Sequence, residues 1–384
     1  MRLSVYPLSQ GALAVAMENR VRVHFGFDAL PAPCLALFAG AADEAGLFFS
    51  LPWLANLHST ALADRGLRIY AIESAAGDGA VRLALPLTHR KTAAGVAGAR
   101  ELAGCANFYS SLFGPALAGG VAPSPQDFFR LAQAIASEAP AWDVVNLQPM
   151  ALQAPSFGMC VAAFRQAGMA VQTYFCFGNW YLEVAGRSYR EYAESLPSRL
   201  KNTLARKSRQ LAAAHDVRIA ILADTADAEQ GIAAFERVYR SSWKSAEAYP
   251  EFIPGLIRMC AQQGWLRLGV AYVDGGPAAA QLWIVSHGVA SIYKLAYDAR
   301  FAPLSIGSIL TAHLMQHVID VDRVREVDYL TGDDAYKRDW MSHRRERWGM
   351  IAFNLRTARG LLAAARHIGG RGLKGLWRRL HPAG

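Results

Sequence analysis

The most regular alternation of apolar and polar positions lies between residues 281 and 340. Two apolar runs, at 281–286 and 290–297, are rich in Ile, Val, Trp and Tyr. His287 and Gly288 separate these runs, and this pair is typical of a tight hairpin turn. The pattern therefore predicts two adjacent antiparallel strands.

A glycine-containing loop follows the hairpin and leads into a predicted helix. Between 309 and 319 the apolar residues recur at three- and four-residue steps, which is the period of an amphipathic helix. Free N–H groups at such a helix start favour phosphate, and Gly307 has no side chain to block close approach. The alternative is that Gly307 only makes a turn and that Ser305 or Ser308 only caps the helix.

A further strand is predicted at 324–330 and ends in a polar segment. Open α/β sheets keep their sites at strand ends, so the side chains here are candidates for an acid or base and its partners. They are Asp328, Asp333, Asp334, Tyr336, Lys337 and Trp340. The alternative is structural, with Asp333 and Asp334 as helix caps and Lys337 as their surface ion partner.

The remaining elements predict two halves of similar organisation. Apolar runs predict strands at 21–25, 34–38, 68–73, 81–87 and 142–147. Helical periods predict helices at 52–63 and 128–137. The order of elements in 1–150 is a looser version of that in 215–355, so we expect domains at 1–165 and 166–355, followed by a basic tail at 356–384.

Four segments resemble the signature blocks of the GNAT acetyltransferase superfamily, at 293–298, 305–310, 328–337 and Trp340. Within it they resemble the BioF2-like or CelD-like branch, which is related to the Fem aminoacyltransferases. The resemblance implies an α/β (α+β) fold of two tandem GNAT-like domains, with mixed, mostly antiparallel sheets flanked by helices. The sequence departs from the family pattern at Leu304, Ile306 and Ile309.

The resemblance also implies a set of binding residues. The loop would hold the pyrophosphate of coenzyme A, and the strand before it would polarise the thioester carbonyl. Acyl-CoA would then contact Leu295, Tyr297, Ser305, Ile306, Gly307, Ser308 and Ile309. The other substrate-binding candidates are Asn107, Tyr109, Gln281, Tyr293, Lys294, Lys337 and Trp340. For Asn107 and Tyr109 the alternative is a polar turn packed beneath neighbouring Phe side chains.

Composition limits the class of protein but does not identify its binding partner. The 384 residues are 53% hydrophobic and 18% charged, which suits a folded chain with a sizeable core. A formal net charge of +9 suits an anionic partner such as coenzyme A, tRNA or an anionic membrane. The five Cys are widely spaced, and only His313 and His317 stand four apart on a predicted helix, so we expect no metal site.

Two segments of the chain are rich in Lys and Arg. Residues 199–211 contain five Lys or Arg and no acid, which suits either a phosphate-binding face or a solvated one. The tail at 356–384 carries seven Lys or Arg and no acid, which suits a helix on an anionic membrane, while its glycines favour a docked or frayed terminus. No apolar run reaches the roughly 18 residues that cross a bilayer. We expect a cytoplasmic protein, peripheral at the inner face of the membrane.

These features predict an N-acyltransferase that moves an acyl group from acyl-CoA to an amine, by resemblance in exopolysaccharide or cell-envelope synthesis. Asp328, or otherwise Asp333, would deprotonate the amine, and Tyr336 would reprotonate the leaving thiolate. N–H groups of residues 294–297 would stabilise the oxyanion, while Lys337 or the 199–209 helix would hold phosphates. Two alternatives stay open: a Fem-like aminoacyl-tRNA-dependent transferase, which the lack of a heptad arm disfavours, and a non-catalytic acyl-CoA-binding scaffold.

Overall fold

The computed structural model describes residues 19–76, 79–90, 98–120 and 122–367. Strands of these residues are β1 (Arg20–His24), β2 (Arg65–Glu73), β3 (Val81–Arg90), β4 (Glu101–Gly104), β5 (Ala116–Leu117), β6 (Val144–Ala151), β7 (Met169–Glu183), β8 (Val217–Leu222), β9 (Leu266–Val273), β10 (Gly276–Ser286), β11 (Val289–Tyr297), β12 (Glu326–Asp328) and β13 (His343–Asn354). The helices are α1 (Ala32–Ala45), α2 (Leu51–Ala61), α3 (Pro125–Ser137), α4 (Pro155–Gln166), α5 (Tyr189–Ser195), α6 (Ser198–Ala214), α7 (Ala228–Arg240), α8 (Phe252–Gln262) and α9 (Ile306–Gln316), and residues 358–367 are also helical.

The described strands form one mixed sheet in the order β1-β2-β3-β4-β6-β13-β7-β12-β11-β10-β9-β8, with β5 beside β3. Each half contains the same sequence of pairings. In the first, β2, β3 and β4 are antiparallel neighbours, and β4 then pairs in parallel with β6 after a connection through α3. In the second, β9, β10 and β11 are antiparallel, and β11 pairs in parallel with β12 after α9. The predicted mixed α/β fold of two tandem halves is confirmed.

The halves are joined by an exchange of their last long strands. β7 follows the first half along the chain but pairs with β12 of the second half. β13 follows the second half but pairs with β6 of the first. The two strands also pair with each other over almost their whole length, from His343 to Asn354. The predicted boundary at residue 165 falls just before β7 and stays a prediction.

Three aromatic residues pack between the halves. Trp53 of α2 is 1% exposed, and its ring contacts those of Phe252 in α8 and Tyr293 in β11 at centroid distances of 5.8 and 5.7 Å. Burial of such large side chains contributes strongly to stability. The contact fixes the position of β11 relative to the first half.

Two sequence predictions of secondary structure differ from the structure. The strand predicted at 34–38 is wrong, because these residues lie in α1. Pro31 and Pro33 suit a helix start, and the buried positions Cys34, Leu37, Phe38 and Ala41 follow helical spacing. The strand predicted at 324–330 is only three residues long, since pairing ends at Asp328. The hairpin turn at 287–288 is as predicted, and a second hairpin turn lies at 274–275; φ is positive at both positions of each turn.

The basic tail is described only in part. Residues 358–367 form a helix whose Ala363 and Ala364 are buried against Phe353 of β13. Residues 368–384 lie outside the described residues, so the membrane-surface helix predicted for the tail stays a prediction.

Candidate active site

The candidate site begins where β11 and β12 part. Their parallel pairing covers only Val289–Ser291 against Glu326–Asp328. Beyond Ser291, β11 continues to Tyr297 with β10 as its only neighbour among the described strands. Tyr293 has no partner on β10 and forms a bulge, which increases local twist. Backbone groups on the free side of β11 therefore face an opening in the sheet.

The loop after β11 brings the start of α9 to this opening. A short 3-10 turn (Ala299–Leu304) leads to Ser305, whose φ of 54° lies in the left-handed region. The first intrahelical bond is from the Ile309 N–H to the Ser305 carbonyl at 3.1 Å, so the N–H groups before it are not used within the helix. This geometry matches the helix start that the sequence predicts for phosphate binding.

Gln281 of β10 fixes the first turn of α9. Its Nε2 donates to the Gly307 carbonyl at 2.8 Å and to the Thr311 hydroxyl at 2.9 Å. Its Oε1 accepts a hydrogen bond from the indole of Trp283 at 3.0 Å. Gln281 is 2% exposed, so its position suits a brace for the helix start. As a substrate contact it stays a prediction.

A cavity of about 310 Å³ lies between the free edge of β11 and the start of α9. It brings together nine of the predicted site residues, which are Gln281, Leu295, Tyr297, Ser305, Ile306, Gly307, Ser308, Tyr336 and Trp340. Its wall is completed by Trp243, Ala296, Ala302, Thr311 and Tyr329. Ile309 is half-buried among apolar neighbours and does not line the cavity.

The aromatic wall of the cavity contains three phenols and two indoles. The exposed Trp243 packs on Tyr297 with ring centroids 4.5 Å apart. Tyr336 is 47% exposed, and partial burial raises the pKa of its phenol to about 12. The phenol therefore keeps its proton at neutral pH and can donate it. Trp340 is buried, and its carbonyl accepts a hydrogen bond from the Tyr192 hydroxyl at 2.9 Å.

The basic helix packs next to this loop. α6 contacts both α9 and the 299–304 turn, with Leu200 and Leu204 half-buried and Leu211 buried. Its charged side chains at Arg199, Lys201, Arg206 and Arg209 stay exposed. Positive charge is thus available beside the start of α9, as phosphate binding requires.

Asp328 does not line this cavity. One carboxylate oxygen accepts hydrogen bonds from Asn179 Nδ2 at 2.5 Å and from the Leu330 N–H at 2.7 Å, and the other accepts from Arg345 Nη2 at 2.6 Å. The side chain is buried and faces a different cavity. This geometry does not favour the predicted role of Asp328 as the base, because both of its carboxylate oxygens already accept hydrogen bonds within the protein and the residue does not line the cavity.

The other predicted acid–base residues of the polar segment hold the segment in place. Asp333 pairs with Arg344 at 2.7 Å and accepts a hydrogen bond from the Trp180 indole at 2.7 Å. The hydrogen bond from Arg344 lowers the pKa of Asp333, which makes it a weak base. Lys337 is 4% exposed and donates to the Thr331 carbonyl at 2.6 Å, so it braces the turn and does not line the cavity. Its predicted role in holding phosphate stays a prediction.

Three predicted acceptor residues, Tyr109, Tyr293 and Lys294, form a polar cluster with Glu247, and none of the four lines the cavity. Glu247 accepts a hydrogen bond from the Tyr109 hydroxyl at 2.5 Å and pairs with Lys294 Nζ at 2.6 Å. Burial alone would raise the pKa of Glu247, but its bonds to Lys294, Tyr109 and Tyr239 hold it below the usual value. Tyr293 donates to the Tyr109 carbonyl at 2.9 Å. Asn107 lies apart, in the wall of a cavity in the first half.

Lys244 is a functional candidate that sequence reasoning missed. It follows Trp243 of the cavity wall, and its Nζ lies 5.8 Å from the Trp243 ring and 6.0 Å from the Tyr239 ring. Burial, then the positive charge of Lys294, lowers the pKa of Lys244 to about 8. No local signal marks it, because its environment comes from β11 and the loop after β12.

Residues 198–338 match the model of a family described as acetyltransferase (GNAT) domain. The match covers less than half of the chain and identifies this segment as a GNAT acetyltransferase domain. The match spans α6 to the polar segment and so contains every wall residue of the 310 Å³ cavity except Trp340. No curated protein sequence matches the chain.

Several solved structures have a fold similar to that of this chain across both halves. FemX is 10% identical with a TM-score of 0.56, over 83% of this chain and 96% of FemX. A tandem GNAT protein from the clavulanic acid biosynthesis pathway is 14% identical with a TM-score of 0.51, over 87% and 98%. L-PGS from Bacillus licheniformis is 12% identical with a TM-score of 0.50, over 88% and 96%. At these identities the likeness shows the fold.

Within the described ranges, the protein has no group of three or more His, Cys, Asp and Glu placed to hold a metal ion. All five cysteines are free thiols, and four are buried. In the same ranges no helix has the length and hydropathy needed to span a bilayer.

Proposed function

We propose that the protein is an N-acyltransferase that transfers an acyl group from acyl-CoA to an amine. The observation that carries the proposal is the cavity bounded by the free edge of β11 on one side and the start of α9 on the other. The two sides offer the two things that a thioester donor needs, which are N–H donors for a carbonyl oxygen and a site for phosphate.

The donor would lie along the cavity with its phosphates at the start of α9. The N–H groups of Ile306, Gly307 and Ser308 precede the first intrahelical bond, and the exposed basic face of α6 lies alongside. The thioester carbonyl would lie against the free edge of β11 between residues 294 and 297. N–H groups there would stabilise the oxyanion that forms when the amine attacks.

Lys244 is the base that we propose for the acceptor amine. A lysine with a pKa near 8 is partly neutral at physiological pH, which suits proton transfer from an ammonium acceptor. Its position next to Trp243 places it beside the cavity that would hold the acyl group. Asp328 and Asp333 are less suited, since the carboxylate of each is already paired with an arginine.

The proposed reaction has a simple balance. The acceptor ammonium loses one proton to Lys244, which later releases it to solvent, and the neutral nitrogen forms a bond to the thioester carbon. The carbon–sulfur bond breaks with the electron pair leaving on sulfur, and the nitrogen loses its second proton to solvent. Tyr336 donates its phenolic proton to the thiolate and regains a proton from solvent. The products are an amide and free coenzyme A.

Calorimetric titration with acetyl-CoA, a longer acyl-CoA and free coenzyme A tests the donor. We expect binding that prefers one acyl chain. Ser308→Trp, which fills the cavity from the first turn of α9, should reduce affinity at least tenfold. Gln316→Trp, at an exposed position of the same helix, is the matched control and should bind normally. Absence of binding to all three compounds by the folded wild-type protein would overturn the proposal.

A Fem-like aminoacyl-tRNA-dependent transferase is the second candidate. Two observations support it: the fold is similar to that of FemX, and α6 presents an exposed basic face. Binding of aminoacyl-tRNA that weakens steeply between 50 and 200 mM salt, with no binding of acyl-CoA, would favour it. Acceptors from exopolysaccharide or cell-envelope synthesis, and peripheral contact with the membrane, are suggested by the family resemblance alone.

A further inference from the structure

A second cavity, of about 440 Å³, lies between the two halves of the protein. One wall comes from the first half and is apolar apart from Glu44 and Ser156, with Phe48, Phe49, Leu112, Phe113 and Met150. The opposite wall is charged and contains Glu326, Asp328, Arg345 and Arg347. No residue is common to this cavity and the one proposed for acyl-CoA.

Arg347 has unused hydrogen-bonding capacity in this wall. It is 5% exposed, and the only hydrogen bond that its side chain donates to a described residue runs from Nη2 to Asn179 Oδ1 at 3.2 Å. Its Nε is buried without any partner. No carboxylate among the described residues lies within 4.0 Å of its guanidinium, although the chain is rich in arginine–carboxylate pairs elsewhere.

Glu326 and Asp328, the two acids of this charged wall, already form ion pairs with Arg345. Its Nη2 lies 2.6 Å from Glu326 Oε1 and 2.6 Å from Asp328 Oδ2. Its Nε also donates to Asn179 Oδ1 at 2.6 Å, so Arg347 shares its one acceptor with a closer arginine. Asn179 and both carboxylates are thus already hydrogen-bonded to Arg345.

A guanidinium in this position destabilises the protein unless an acceptor reaches it. A buried polar group without a partner loses its hydrogen bonds to water and forms none with the protein to replace them. Burial, then the charge of Arg345, lowers the pKa of Arg347 to about 10, even though the two carboxylates favour its charged form. A planar carboxylate or a phosphate is the group that matches the fork of arginine donors.

We propose that Arg347 binds the acidic group of the acceptor, a carboxylate or a phosphate, while the Phe and Leu wall packs on an apolar part of the same molecule. This inference rests on the proposed transferase function. Ser291, the last residue of β11 that pairs with β12, also lies in the wall of this cavity. It is four residues, about 13 Å of strand, from the free edge at Leu295. The acceptor is therefore an amphiphilic amine whose acidic group and amine stand far apart.

Two matched amines test this assignment by calorimetry. 10-Aminodecanoate carries the acid, the apolar chain and the amine, and decylamine lacks only the acid. We expect wild type to bind 10-aminodecanoate at least tenfold more tightly than decylamine, and Arg347→Met to lose this preference. The control variant Arg258→Met removes an exposed charge on α8, far from the cavity, and should keep the preference for 10-aminodecanoate. Competition by acetate or by inorganic phosphate then distinguishes a carboxylate site from a phosphate site.

Folding of the variant separates a binding role from a structural one. Because Arg347 lacks a carboxylate partner, Arg347→Met should unfold at the same or a higher temperature than wild type. Arg347→Lys keeps the charge without the fork and should bind 10-aminodecanoate with intermediate affinity, which gives a second measurement if the Met variant fails to fold. Equal binding of both amines by wild type, or an unchanged preference in both variants, would overturn the inference.

Failure of the inference and failure of the proposed function give different results. Discrimination between the two amines without transfer from any acyl-CoA would leave the anion site intact and remove the transferase. Transfer of an acyl group to both amines at equal kcat/KM would support the transferase function and contradict the anion site.

Discussion

Gln281 and Gly307 are joined by a hydrogen bond from the Gln281 side-chain amide to the Gly307 carbonyl, 2.8 Å long, across 26 residues of chain. The bond ties the first turn of α9 to β10, and the same side chain accepts from Trp283. The start of α9 is therefore held by the sheet as well as by its own helical bonds.

Gln281→Leu should loosen this helix start. The Trp283 indole and the Thr311 hydroxyl would lose a buried partner, so we expect the free energy of unfolding to fall by about 1–3 kcal/mol. Acyl-CoA affinity should fall as well, because the N–H groups of α9 would no longer be fixed. Denaturant unfolding and calorimetry measure the two effects. Gln316→Leu, exposed on the same helix, should change neither.

Gly307→Ala should affect binding more than stability. A Cβ there would lie 3.0 Å from Tyr297 Cδ1, so the ring that forms a wall of the cavity must move. Alanine is also the better helix former by up to about 1 kcal/mol, which offsets the crowding. We expect a melting temperature near that of wild type and weaker acyl-CoA binding. Gly40→Ala, in α1 with nothing within 4 Å of the new Cβ, should bind acyl-CoA normally.

Lys244 should set the acidic limb of the pH–rate profile. Its neutral form is the base, so kcat/KM should rise with pH through about 8 and then level off. In Lys244→Met we expect this limb to disappear and kcat/KM to fall by about 10²-fold or more. Initial rates of thiol release between pH 6 and 10 measure both. An unchanged limb in the variant would assign the titration to another group.

Asp328→Asn should weaken the fold and leave the chemistry largely intact. The substitution removes the charge that pairs with Arg345, a loss of about 3 kcal/mol for a buried pair. Turnover by the folded fraction should stay within about threefold of wild type. Asp216→Asn, at an exposed position, controls for the change of residue type. A hundredfold loss of kcat at unchanged stability would instead restore Asp328 as the base.

The sequence predicted the elements that are formed by local pattern. The β10–β11 hairpin follows from two strand-like runs and a two-residue turn, and α9 follows from its period and from Ser305 and Gly307 at its start. These features depend on residues close together in the chain, so a local pattern suffices.

The parts that the sequence did not predict depend on distant residues. Asp328 appeared as a base because it ends a strand, but Arg345 and Asn179 reach it from β13 and β7. Lys244 showed no signal because the burial and positive charge that lower its pKa come from other elements. The exchange of β7 and β13 likewise rests on pairings between residues that lie far apart in the chain.

The strand exchange also limits how substrates can enter. Each half completes its sheet with a strand that belongs, along the chain, to the other half, so opening the two halves like a hinge would break the pairings of β7 and β13. The cavity between the halves has therefore a nearly fixed width. We expect an acceptor to enter by movement of loops and side chains at the rim of the cavity. We also expect the two halves to unfold together in a single transition.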